Sequence, residues 1–178
     1  MVSKMTTAQT RLAAAALDAL GAVDDVLATP KGSPSKAQPQ ALYAYATDPS
    51  YQPDATLLRL LHGDARTQAD FQRLLENTAS YYIPRMAAAS SGEIGARETD
   101  GLKIQFRASK ADAGQVYAIL EIADIDAQPK VLFVKHPDGH LDRLELPAFR
   151  DGRVQLLLEG DASAMKGLMD INAEVYVR

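Results

Sequence analysis

The 178-residue sequence contains no cysteine. Disulfides, thiolate zinc sites, iron–sulfur clusters and cysteine nucleophiles are therefore excluded, and redox chemistry does not mark the compartment. No run of about twenty apolar residues exists, so a membrane span is not expected. The Ala-rich stretch near the start is interrupted by Asp18, Asp24 and Asp25 and never forms a hydrophobic signal core, so a cytoplasmic protein is expected. An excess of positive charge is lacking too. With 19 Lys and Arg against 23 Asp and Glu the formal net charge is -4, which argues against direct binding of nucleic acid, where phosphates must be neutralised by a basic surface.

What is present is a change of hydrophobic period near Ser90, from helical spacing rich in Ala and Leu to a period of two. In the front part, Thr6 or Thr7 can cap a helix carrying Leu17, Leu20, Val23 and Leu27 on one stripe, giving an N-terminal helix over residues 1–30. Residues 31–40, KGSPSKAQPQ, are polar and rich in breakers and read as a flexible linker. A small helical unit over 41–89 follows, interrupted at Asp48-Pro49 and Gly63. Asp54 caps a helix with Leu57, Leu58, Leu60 and Leu61. Thr67 opens another in which Phe71, Leu74, Leu75 and Thr78 recur, and Pro84 kinks or ends it. Residues 87–92, AAASSG, form the hinge into the β part.

Residues 90–178 read as strands. Leu102, Ile104 and Phe106 alternate with Lys103, Gln105 and Arg107, as a strand wet on one face requires. Val116, Ala118, Leu120 and Ile122 share a face opposite Tyr117, Ile119 and Glu121, which suits a strand near the middle of a sheet. Val131 to Val134 is apolar throughout and should be buried on both faces. Asp100-Gly101, Pro137-Asp138-Gly139 and Asp151-Gly152 supply turns. A weak strand is expected around Ile94, a short helix around Met165, Leu168 and Met169, and a closing strand at Val175 to Val177. The expected fold is α+β, a small N-terminal helical unit followed by an antiparallel β-sandwich-like domain.

Residues 54–88, with LLRLLHGD followed by QADFQRLLENTASYYIPRM, resemble the short-helix, Gly-turn, long-helix pattern of the N-terminal domains of bacterial anti-sigma factors. In the zinc-binding members of that family a His and a Cys-x-x-Cys pair hold the helices together. Here Asn77, Thr78, Ser80 and Tyr81 stand where thiols would be, so the zinc site is absent. The resemblance implies a sigma factor as partner, kept from RNA polymerase by the helices without zinc.

No catalytic, cofactor-binding or metal-binding residue is assigned. His136 and His140, with Asp138 and Asp142 nearby, flank the Pro-Asp-Gly turn and suggest a loose divalent-metal site, but two ligands on a solvated hairpin tip lack the supporting shell that metal sites use. His62 suits a helix C-terminus. Ser90-Ser91-Gly92 lacks the surroundings of a nucleophile, and Gly92-Glu93-Ile94-Gly95 lacks the lysine and following helix of a phosphate loop. Glu121, Asp124 and Asp126 lack the spacing of an EF-hand. Tyr43, Tyr45, Tyr51, Tyr81 and Tyr82 concentrate in the helical half, either as binding anchors or as filling between the helices and the β domain. The resulting expectation is a non-enzymatic regulator or adaptor that binds a protein through Leu57, Leu61, Phe71, Leu74, Tyr81 and Tyr82. The alternative is a sandwich module for a small ligand or carbohydrate, with helices used for homo-oligomerisation.

Overall fold

A computed structural model describes residues 36–85 and 95–178, which belong to one compact unit, Lys36–Arg178. The expected N-terminal helix, the first half of the linker, the 87–92 hinge and Ile94 lie outside the described residues. Three helices come first: α1 Pro39–Thr47, α2 Ala55–Gly63 and α3 Ala65–Thr78. Pro39 and Gln40, expected in the linker, open α1; a proline at the first helical position gives up an N–H that has no partner in the helix. Asp54 and Asp64 cap α2 and α3, accepting hydrogen bonds from the Leu57 and Thr67 amides at 2.7 and 2.9 Å. The α3 cap is therefore Asp64, and Thr67 lies one turn inside, its hydroxyl also bonded to that carboxylate.

Eight strands follow: β1 Tyr81–Ile83, β2 Ala96–Thr99, β3 Leu102–Ala108, β4 Gln115–Ile122, β5 Val131–Lys135, β6 Leu141–Glu145, β7 Arg153–Glu159 and β8 Glu174–Val177, with α4 Ser163–Met169 before β8. They form two four-stranded antiparallel sheets, one in the order β1-β8-β5-β6 and the other β2-β3-β4-β7. The fold is α+β. The Asp-Gly signals fall at turns: Gly101 has φ 76°, and both Asp151 (φ 51°) and Gly152 (φ 72°) are left-handed, as a two-residue hairpin requires. At Gly152 a Cβ would also lie 2.7 Å from the Ile122 carbonyl oxygen, so no side chain fits there.

Side-chain alternation sorts the faces into three layers. Leu132, Val134, Val175 and Val177 of the first sheet meet Leu102, Ile104, Leu120, Val154 and Leu156 of the second in one core. Val131, Phe133 and Tyr176 point the other way, into a second core completed by Leu42, Tyr45, Leu57, Leu61, Phe71 and Leu75 of the helices. Tyr45, Phe71 and Phe133 form an aromatic triangle with centroid separations of 5.6, 5.9 and 5.6 Å. Arg143 of β6 lies over the Tyr45 ring and donates to the Asp48 carbonyl at the end of α1. The helices thus form the outer layer over the first sheet.

One expected element differs in kind. The helix read from Thr67 towards Pro84 ends at Thr78, and Tyr81–Ile83 is an edge strand paired with β8, Tyr82 opposite Tyr176. A β-branched and aromatic triplet suits a strand, but its partner lies at the far end of the chain, beyond the reach of a local pattern.

Arg97 on β2 is only 1% exposed and points between the sheets. Its guanidinium donates to the carbonyls of Pro84, Leu168, Asp170 and Ala173 at 3.3, 3.5, 3.2 and 2.6 Å, and the Asp170 carboxylate acts on it only from a distance, without an ion pair. Burial pulls its pKa below the usual arginine value. The carbonyls at the C-terminal end of α4 carry the negative end of that helix's dipole and supply part of the compensation. Arg97 thereby ties β2, the end of β1, α4 and the lead-in to β8 together.

Phe133 is fully buried in the aromatic triangle, whereas Phe106 is only partly buried. Phe133→Ala should therefore lower the unfolding free energy by about 3–5 kcal/mol and Phe106→Ala by distinctly less, as measured by urea denaturation. Equal losses would mean that the helical layer does not close over β5.

Candidate functional site

The residues expected to meet a partner are placed unequally. Leu57, Leu61 and Phe71 are buried against the protein's own first sheet, Leu74 is partly buried at the margin of the same core, and Tyr81 points between the sheets. Only Tyr82 is well exposed, and it stacks on Tyr176 with centroids 4.8 Å apart. Of the other tyrosines, Tyr43 is open to solvent, with the Arg178 guanidinium over its ring.

The β5–β6 hairpin end is not the solvated tip that its sequence suggests. The side chains of His136 and Asp142 are 15% and 19% exposed, because α4 covers them. His136 Nε2 donates to Asp142 Oδ2 at 2.7 Å, and His140 Nε2 approaches Asp142 Oδ1 at 3.2 Å, so one carboxylate joins both imidazoles. His62, at the end of α2, brings its ring to 5.7 Å from that of His140, and its Nδ1 donates to the Leu58 carbonyl. All three histidines of the chain meet here. Gly167 makes the arrangement fit: a Cβ there would lie 2.6 Å from both His136 Cε1 and Val134 Cγ1. A glycine inside a helix costs helical stability, and here it permits close packing on a strand.

Ser163 Oγ lies 3.5 Å from His136 Nε2, which superficially suggests a Ser-His-Asp set. In such a relay the base holds the nucleophile with one ring nitrogen and the orienting carboxylate with the other. Here Ser163 and Asp142 approach the same nitrogen, so the set is not a relay. Among the described residues no group of three metal-ligating side chains is placed to hold a metal ion. Burial pushes the Asp142 carboxyl up, but hydrogen bonds from His136 and Ser163 and the charge of His140 outweigh it and hold the carboxyl below its usual range.

Two further surfaces have chemical content. On the helical side, α3 and the β5–β6 hairpin enclose a cleft of about 210 Å³ lined by Leu61, Phe71, Leu75 and Leu141, with Gln68, Gln72 and Lys135 as its polar groups. Lys135 donates to the Gln72 side-chain oxygen and pairs with Glu174 Oε2 at 3.3 Å. Glu174 also accepts from Arg85 Nε and Tyr176 Oη, both at 3.0 Å. Burial raises the Glu174 carboxyl, but the charge of Lys135, hydrogen bonds from Tyr176 and Lys135 and the charge of Arg85 bring it below its usual value, so Glu174 is ionised. Burial and the Glu174 charge push the Tyr176 phenol up, leaving it a neutral donor.

On the opposite side, the outer face of the second sheet carries no covering layer among the described residues. Its register sets Gln105, Ile119 and Gln155 in one row and Arg107, Tyr117 and Leu157 in the next. Leu157 is 48% exposed, while Tyr117 and Ile119 are half-buried beside it. The flanking row holds Glu98, Lys103, Glu121 and Arg153, alternating in charge, with Arg153 bonded to Glu121. Glu121 is thus one half of a cross-strand pair, and Asp124 and Asp126 lie in the exposed turn beyond it.

Compared with family models, with curated proteins and with solved structures, the chain matches none of them.

The His136–Asp142 contact has a testable pH signature. A carboxyl whose pKa is lowered on folding contributes stability that is present above its unfolded value of about 4 and is lost as pH falls through its folded value. The stability gap between the wild type and Asp142→Asn should therefore be largest near pH 6 and shrink as the pH approaches about 3. A gap unchanged across that range, measured by denaturant unfolding, would contradict the assignment.

Proposed function

We propose that the protein is a non-enzymatic regulator or adaptor that binds a protein partner, and that the open face of its second sheet is the principal contact. The observation that carries this reading is the contrast between the layers. The first sheet is covered on both sides by the chain itself, whereas among the described residues nothing covers Tyr117, Ile119 and Leu157 of the second sheet, an apolar centre within a polar and charged rim. An apolar anchor surrounded by polar groups is the usual anatomy of a protein interface. The rim holds Lys103, Arg107 and Arg153 against Glu98, Glu121 and Glu159. Its charges balance, so a partner with an apolar anchor and a mixed rim suits it better than a uniformly charged one.

The helical side contributes less than its sequence suggests, because Leu57, Leu61 and Phe71 are engaged in the protein's own core; Leu74 and Tyr82 remain as contacts there. The resemblance of residues 54–88 to anti-sigma helices makes a sigma factor the first partner to test.

Leu157→Arg in the full chain should leave thermal stability nearly unchanged, since the side chain is half exposed, and should weaken partner capture by about 2 kcal/mol or more. If capture survives Leu157→Arg but is lost with Tyr82→Ala, the contact lies on the helical side and the sheet-face assignment fails.

A further inference from the structure

We propose that the cleft between α3 and the β5–β6 hairpin is a binding site for a small carboxylate with an apolar body, of the size of benzoate, whose anionic end meets the ammonium of Lys135. The site lies on the layer opposite the open sheet face, so the inference stands apart from the protein-binding reading. Its volume of about 210 Å³ is below the roughly 300 Å³ at which drug-sized sites begin, but it exceeds the ~150 Å³ apolar cavity that holds a benzene ring.

The chemistry of the two ends sets the ligand class. Lys135 has three N–H donors, of which Gln72 and Glu174 engage two, and no described residue takes the third. The lysine side chain is largely shielded, and a lining residue of the cleft. Its partner Glu174 is shared with Arg85, so two cations stand against one carboxylate. The other nearby anion, Glu76, reaches the group only through the Gln72 amide from the exposed face of α3. A ligand carboxylate can therefore accept a charge-assisted hydrogen bond at a partly desolvated site. At the mouth, Gln68 spends its amide nitrogen on the Leu61 and His62 carbonyls at 2.9 and 3.1 Å. Its oxygen faces Gly139, lying 4.0 Å from where a Cβ on that residue would be, and is free to accept from a hydroxyl at the ligand's far end. Between the ends the walls are apolar, as Phe71, Leu75 and Leu141 require.

Saturation-transfer NMR and calorimetry with the full chain, using benzoate, 4-hydroxybenzoate and uncharged benzyl alcohol as probes, test the inference. Both carboxylates should bind, 4-hydroxybenzoate the more tightly, and benzyl alcohol should bind about tenfold or more weakly, the value of one charge-assisted bond. Lys135→Met should reduce benzoate to the level of benzyl alcohol. Ala69→Phe, on the exposed side of α3, should abolish binding of all three by filling the cleft without touching the core, and it keeps the test decisive if Lys135→Met does not fold. Equal binding of benzoate and benzyl alcohol, benzoate binding undiminished by Ala69→Phe, or no binding of any probe would overturn the proposal.

Discussion

The architecture depends on the first sheet being apolar on both faces. Val131, Leu132, Phe133 and Val134 of β5 and Val175, Tyr176 and Val177 of β8 are all inaccessible to solvent. A strand of this kind is stable only when a layer covers each side, because either face left open would expose a contiguous apolar surface. The second sheet supplies one layer and α1 to α3 supply the other. The helices are thus less an appendage than the outer wall of the core. Their own apolar residues, Leu57, Leu61, Phe71 and Leu75, have too few partners among themselves and find them on β5 and β8.

The polar groups inside this frame follow from the same arrangement. Glu174 and Lys135 lie on the face that the helices cover, where Arg85 and Tyr176 also bond the Glu174 carboxylate and Gln72 also accepts from Lys135. Arg97 faces the space between the sheets, and its two terminal guanidinium nitrogens donate to backbone carbonyls. Both are sites where losing one partner would leave a buried charge, which costs far more than the contact contributes. They fix which strand end meets which helix, and they hold the β5–β6 hairpin and α4 in the positions that create the histidine cluster and the cleft.

Much of this was legible in the sequence where the signal is local. Alternation at Leu102 to Phe106, the unbroken run at Val131 to Val134, the Asp-Gly pairs and the Asp54 cap each identify their own element, because period, turn chemistry and capping act over a few residues. What could not be read depends on distant partners. Tyr81–Ile83 is a strand only because β8 lies beside it. Arg97 occupies an inward position that alternation would give to an apolar residue, and four carbonyls remote in sequence make that tolerable. The histidine cluster requires α4 to lie on β5, and Gly167, between buried Met165 and Leu168, was the one local sign of that approach. The assignment of Leu57, Leu61 and Phe71 to a partner surface rested on treating the helices as a separate unit, and their apolar stripe has the same appearance whether a partner or the chain itself covers it.

The central claim is that helices and sheets share one core and that function therefore falls to what the shared core leaves outside. Native-state hydrogen exchange measures this most directly. Amides of Phe71 to Leu75 in α3 should open with the same free energy and the same denaturant dependence as those of Phe133 and Tyr176, since neither layer persists without the other. If α1 to α3 open at a markedly lower free energy while β5 and β8 stay protected, the helices are a separable unit and the account is wrong.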